Sequence, residues 1–112
     1  PAMKESRIKM TTTKHSIGDL IYHKLYGYRG VIVDIDPCFQ LTDEWYDKVA
    51  SSRPPKNEPW YHVLVNQSLN STYVAEQNLE PDLTGEKIDH PMVELFFTGL
   101  QDGRYISNEK IN

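Results

Sequence analysis

The sequence predicts an all-β fold, a small barrel that carries a short helical insertion and a C-terminal extension packed on the barrel. Several short runs rich in β-branched and aromatic residues are separated by turns that contain glycine, proline or asparagine. One segment between the second and third runs instead has the pattern of a helix start. With 112 residues the chain is long enough for a single hydrophobic core, so one domain is expected.

Two predicted hairpins form the body of the barrel. Gly27 and Gly30 tolerate the backbone angles of a tight turn, and the β-branched run that follows them is typical of a buried strand. The run that begins at Trp60 alternates its side chains between two faces and leads into a polar turn. The strands are expected over residues 17–26, 31–35, 60–67 and 72–75.

Thr42, followed by two acidic residues, predicts the start of a short helix over residues 43–50, because acids stabilise the positive end of the helix dipole. Pro54 and Pro55 end this insertion, since neither residue can donate a backbone hydrogen bond.

The last third of the chain predicts an extension on the barrel. An apolar cluster over residues 92–97 is expected to pack against the strands. Asp102-Gly103 predicts a tight turn before residues 104–106, a final short strand expected to close the sheet. Four or five short strands with hairpin spacing favour an SH3-like barrel, which removes exposed sheet edges.

Residues 1–16 have no apolar periodicity and are expected to be a flexible leader or an expression remnant, which leaves one domain over residues 17–112. Residues 1–30 carry six Lys/Arg and two acids, whereas the other 82 residues carry six Lys/Arg and fourteen acids. No apolar run approaches the roughly 18 residues that span a bilayer, so we expect no membrane contact. A single cysteine, Cys38, cannot form an internal disulfide, and this favours the cytoplasm.

The residues predict neither an enzyme nor a cofactor. Asp34 and Asp36 form an Asp-x-Asp pair, but the sequence places no third ligand near them, so the pair is interpreted as a strand end rather than a metal site. Three scattered histidines share no metal-ligand spacing: His23, His62 and His90. Cys38 has no neighbouring base, and neither a phosphate-binding loop nor a nucleophile elbow is present.

Aromatic residues are too numerous to be central in so small a barrel, so we expect some of them to form a contact surface for a partner. The candidate partner-binding residues are Tyr22, Lys24, Tyr28, Arg29, Trp45 and Tyr61. The alternative for any single aromatic is structural: Trp60 and Tyr73 would lie in the core, while Tyr28 and Tyr61 would cover hairpins.

Three ordered stretches then suggest a family. They are YGYRGVIVDIDP over residues 26–37, PWYHVLV over 59–65 and TYVAEQNL over 72–79. These stretches resemble the HspQ family, also called YccV-like or hemimethylated-DNA-binding, across roughly residues 17–106. The tail from residue 89 resembles the variety of this domain found in F-box proteins and chloroplast Clp-protease adaptors.

The resemblance implies an SH3-like barrel in a heat-shock protein that promotes degradation of denatured proteins and acts with the Lon protease. We therefore expect a non-enzymatic module whose partners are an ATP-dependent protease and denatured protein clients. The alternative is binding of hemimethylated DNA, for which Lys14, Lys24, Arg29 and Arg7 would neutralise phosphates. The acidic body predicts that such binding is weak and salt-sensitive, and homo-oligomerisation is left open.

Overall fold

The structure is a computed structural model and describes residues 12–108, so residues 1–11 of the predicted leader lie outside it. Seven strands and two short helices confirm the all-β fold. In chain order they are β1 (Leu20–His23), β2 (Arg29–Asp36), α1 (Asp43–Val49), β3 (Trp60–Val65), β4 (Ser71–Ala75), β5 (Leu79–Pro81), α2 (Val93–Phe96), β6 (Phe97–Gln101) and β7 (Arg104–Ser107).

The first five strands form one antiparallel sheet in the order β4-β3-β2-β1-β5. A single turn of 3-10 helix, Glu76–Asn78, joins the two end strands β4 and β5. Among the described residues no ladder pairs β4 with β5, so the barrel is open at that seam. Strand β5 was not predicted, because its three residues are too short to show a periodicity.

Strands β6 and β7 form a separate two-stranded hairpin. The predicted turn at Asp102-Gly103 is confirmed, and both residues have the positive φ that a tight hairpin needs, 55° and 81°. The final strand was expected to close the main sheet, but within residues 12–108 it pairs with that sheet only through an isolated bridge between Arg104 and Asp19, next to β1. The turn is so tight that β7 pairs with the strand just before it.

The central strands are apolar on both faces. Ile32 packs inside the barrel, in a cluster to which each strand of the main sheet contributes. Its neighbour Val31 points to the opposite face, where the C-terminal extension covers it with Ile88, Phe97 and Tyr105. The predicted packing of the extension on the barrel is therefore confirmed.

The helical insertion is held by aromatic side chains. The Thr42 side chain caps α1 by accepting a hydrogen bond from the Trp45 backbone N–H at 3.1 Å, as the sequence predicts. No residue within α1 is fully buried. The helix is instead fixed because Phe39, Trp45 and Tyr46 pack around Trp60, with ring centroids 5.0–6.4 Å apart.

Strand β1 ends at His23, three residues earlier than predicted. The His23 Nδ1 atom accepts hydrogen bonds from the backbone N–H groups of Leu25 and Tyr26, both at 3.1 Å. These bonds, with a positive φ of 73° at Gly27, turn the chain out of the sheet. Leu25 and Tyr26 therefore lie on an exposed turn.

Residues 14–16, which were predicted to belong to the leader, contact the barrel. The Lys14 backbone N–H donates to Glu76 at 2.8 Å, and the His15 backbone N–H donates to the Tyr61 hydroxyl at 3.3 Å. His15 is buried, and this burial lowers the pKa of its imidazole. The packed domain therefore includes residues 14–16.

Gly30 lies where no side chain fits. A Cβ there would sit 2.5 Å from Val63 Cγ1 and 2.6 Å from the Leu64 carbonyl oxygen. We expect Gly30→Val to lower the free energy of unfolding by about 2 kcal/mol or more, because overpacking displaces strand β3. Gly99→Val is the matched control, since nothing lies within 4 Å of that position. Equal urea midpoints for the two variants would contradict this prediction.

Burial lowers the pKa of His23 from its ordinary value of 6.5. As pH falls below about 6.5, His23 takes up a proton in the unfolded chain before it does so in the folded chain. The free energy of unfolding therefore decreases as pH falls from about 6.5 through the lower pKa of folded His23. We expect urea unfolding to show this loss in the unmodified protein and a smaller loss in His23→Asn, whose amide keeps an acceptor but does not titrate. The same pH dependence of the free energy of unfolding in both proteins would refute the assignment of this loss to His23.

Candidate binding groove

A groove of about 370 Å³ lies between β4, the turn after β1 and the helical insertion. Its apolar lining includes Leu25, Tyr26 and Tyr28 beside β1, Leu41, Trp45 and Val49 from the insertion, and Trp60, Tyr73 and Val74 from β3 and β4. The lining thus comes from three parts of the chain that the barrel brings together. We call this cavity the aromatic groove.

Tyr28, Tyr73 and Trp60 form hydrogen bonds within the protein through the polar atoms of their side chains. The Tyr28 hydroxyl lies 2.7 Å from Thr72 Oγ1, and the Tyr73 hydroxyl donates to Asp36 at 2.7 Å. Trp60 Nε1 donates to the Pro55 carbonyl oxygen at 3.1 Å. Burial raises the pKa of both tyrosines, so both hydroxyls stay protonated at neutral pH. The lining therefore offers a partner mainly apolar ring surface.

Four apolar side chains around the groove are exposed to solvent. Leu25 is 56% exposed, Tyr26 65%, Leu41 40% and Val49 51%. The Tyr26 ring stacks on His23 with centroids 4.6 Å apart, so it is held in place although it is exposed. Exposed apolar side chains grouped around a concavity are typical of an interaction site.

The outer side of the insertion is charged but largely paired. Lys56 binds Asp43 at 2.9 Å, and this hydrogen bond raises the pKa of the Lys56 ammonium. Arg53 lies 3.4 Å from Asp47. These pairs lie at the surface and contribute little to stability. They leave the wall of the groove close to neutral.

Two of the six predicted partner-binding residues, Tyr28 and Trp45, line the aromatic groove. Tyr22 and Lys24 are exposed but do not line it. The Lys24 backbone N–H donates to the Asn78 carbonyl at 2.9 Å, which ties the turn after β1 to the 3-10 helix.

The other two predicted residues, Arg29 and Tyr61, bind partners within the protein. Arg29 Nε donates to Asp82 at 2.7 Å, and the Asp82 side chain is only 5% exposed, so the guanidinium fixes the chain after β5 and its charge is balanced. Tyr61 is fully buried and donates its hydroxyl hydrogen bond to Glu76. Burial, and then this bond, raise the pKa of the Tyr61 hydroxyl. A partner cannot reach this ring.

Four further residues line the groove and were not among the predicted partner-binding residues: Leu25, Tyr26, Leu41 and Val49. Leu25 and Tyr26 were predicted to lie in a strand. Two large apolar residues directly before Gly27 were the available signal, because apolar residues on a turn are not explained by the core. Leu41 and Val49 carried no such signal.

A third candidate ligand does lie near the Asp34–Asp36 pair, contrary to the sequence analysis. A nitrogen of His62 and one oxygen of each carboxylate all lie within 4.8 Å of one another. The residues meet because Asp34 pairs with His62 across β2 and β3. Cys38 Sγ accepts a hydrogen bond from Gln40 at 3.3 Å.

The described part of the chain contains no helix that is long and apolar enough to cross a membrane.

The family model described as "Hemimethylated DNA-binding protein YccV like" matches residues 13–104. The match begins beside Lys14 and His15, which pack on the domain, and it extends through the turn between β6 and β7. Because this match spans most of the chain, the protein belongs to the YccV-like family.

Proposed function

We propose that this protein binds denatured proteins in the aromatic groove and promotes their degradation by an ATP-dependent protease of the Lon type, without catalysing a reaction itself. The observation that carries the proposal is the groove, with four exposed apolar side chains at its edge. Unfolded chains differ from folded ones in presenting apolar side chains, and an open apolar groove selects for that property.

The shape of the groove also suits an extended polypeptide. Its base runs along β4 at one end of the sheet, from Ser71 to Ala75, and its sides are the turn after β1 and the insertion. Aromatic-lined grooves are known to bind extended peptide segments, and proline-rich segments lose little conformational entropy on docking because they are already extended. A client would therefore contact the groove through a few consecutive residues.

Removing the exposed side chains of one wall tests the proposal. We expect the double variant Leu25→Ser/Tyr26→Ser to bind a fluorescently labelled, chemically unfolded protein at least tenfold more weakly, because each lost apolar contact costs about 1.5 kcal/mol. Protease-dependent degradation of that client should slow in parallel. Fluorescence anisotropy and a gel-based degradation assay measure the two effects.

Leu69→Ser is the matched control. Leu69 is 83% exposed and does not line the groove, so its replacement removes a comparable apolar side chain elsewhere. Circular dichroism verifies that all variants are folded. Client affinity that is unchanged in the double variant, or equally reduced in the control, would refute the groove as the client site.

Binding of hemimethylated DNA is the second candidate function, and the family description favours it. The charges of the described residues oppose strong binding. Residues 12–108 contain eight Lys/Arg and fourteen Asp/Glu. Four of those eight cations pair with an aspartate. Phosphate contacts need unpaired cations, so little attraction for duplex DNA remains.

We expect weak binding to DNA that falls further as salt rises, with no preference for methylation state. Labelled fully methylated, hemimethylated and unmethylated duplexes, titrated at near-physiological salt, measure this. Lys24→Glu should weaken binding to all three duplexes alike, because a phosphate contact does not read sequence. Submicromolar binding selective for the hemimethylated duplex, without any effect on client degradation, would favour DNA binding instead.

A further inference from the structure

Three metal-ligating side chains converge on neighbouring strands beside the aromatic groove. Asp34 and Asp36 come from β2, and His62 comes from β3 and also lines the groove. One candidate ligand atom from each lies within 4.8 Å of the other two. We propose that these residues bind one divalent transition-metal ion, with Zn²⁺ the best fit to the donor set.

A β-bulge creates the convergence. Strand β2 shifts its pairing between Ile32, opposite Val63, and Asp34, opposite His62. In an uninterrupted strand Asp34 and Asp36 would share the face of Ile32, which lies inside the barrel, because side chains alternate with a period of two. The extra residue Val33 at the bulge shifts this alternation by one position. The carboxylates of Asp34 and Asp36 therefore point away from the core, on the face of the sheet that carries His62.

The donor set and its spacing fit a transition metal. Zinc binds imidazole nitrogen and carboxylate oxygen at about 2.0–2.2 Å, which places tetrahedral ligand atoms about 3.4 Å apart. Asp36 Oδ2 and His62 Nε2 are already 3.3 Å apart. Asp34 is exposed, so its side chain can rotate to bring a third ligand oxygen to the metal ion. An imidazole ligand favours zinc, copper, iron or nickel over magnesium and calcium.

Within residues 12–108, the one ion-pair partner of the Asp34 and Asp36 carboxylates is the His62 ring itself, 3.3 Å from Asp36. The four ion pairs that Lys or Arg forms within residues 12–108 do not include Asp34 or Asp36. The Asp34 carboxylate accepts a hydrogen bond from the adjacent Ile35 N–H at 2.9 Å. Tyr73 donates to Asp36 at 2.7 Å and orients that carboxylate, as outer-shell hydrogen bonds do around metal ligands.

Isothermal titration calorimetry of the full chain with Zn²⁺ tests the proposal. We expect one equivalent to bind with a micromolar dissociation constant, and His62→Gln and Asp34→Asn to weaken binding at least tenfold. Asp102→Asn, at an exposed acid on the β6–β7 turn, is the control and should bind as the unmodified protein does. Binding that survives both ligand substitutions overturns the assignment.

A measurement on the unmodified protein tests the same site without relying on variants that could misfold. Co²⁺ is paramagnetic, so stoichiometric Co²⁺ should broaden or shift the NMR signals of the His62 ring and the Asp34 and Asp36 backbone before those of other residues. Signals that change first at another histidine, such as His90, would contradict the site.

The barrel core is complete without the ion, so the metal is expected to bind an already folded protein. Chelator should leave the melting temperature of the metal-free protein unchanged, whereas excess Zn²⁺ should raise it by mass action. The same Zn²⁺ concentration should raise it less in Asp34→Asn. An equal rise in both proteins overturns the proposal. The readouts involve no client, so they do not depend on the proposed function.

Discussion

The structure depends on the burial of both faces of its central strands. Val31 and Ile32 are neighbours on β2, and Leu64 and Val63 are neighbours on β3; all four are almost completely buried, on alternating faces. Full burial of such a side chain contributes about 1.5–3 kcal/mol. Neither face can therefore be left to water. Curvature of the sheet buries one face, and the chain from Ile88 to Tyr105 buries the other, which makes the extension part of the domain.

The same constraint places the helical insertion outside the barrel. With both faces of the sheet occupied, the insertion packs against the edge of Trp60 through Phe39, Trp45 and Tyr46. Helix α1 has seven residues, too few to be stable alone in water, so these ring contacts hold it. The space that remains between the insertion and β4 is the aromatic groove. Its outer wall is thus positioned by tertiary contacts alone.

The candidate site was predictable only in part. Tyr28 and Trp45 could be selected because a small barrel cannot bury every aromatic residue. The same argument selected Tyr61, which is buried because Glu76 and the backbone of His15 satisfy its hydroxyl. Arg29 resembled a phosphate contact, but its partner Asp82 lies 53 residues away, beyond any local pattern. The convergence of Asp34, Asp36 and His62 was also invisible, because one bulge residue decides which face the carboxylates take.

The sequence by itself determined the all-β class, the two central hairpins, the capped helix and the Asp102-Gly103 turn, because turn residues, caps and alternation act over a few neighbours. Its ordered stretches also indicated the family. Tertiary structure alone decided that His15 packs into the domain and which aromatic side chains face solvent. Those outcomes depend on contacts between residues that are far apart in the chain. A local sequence pattern does not contain the free energies of such contacts.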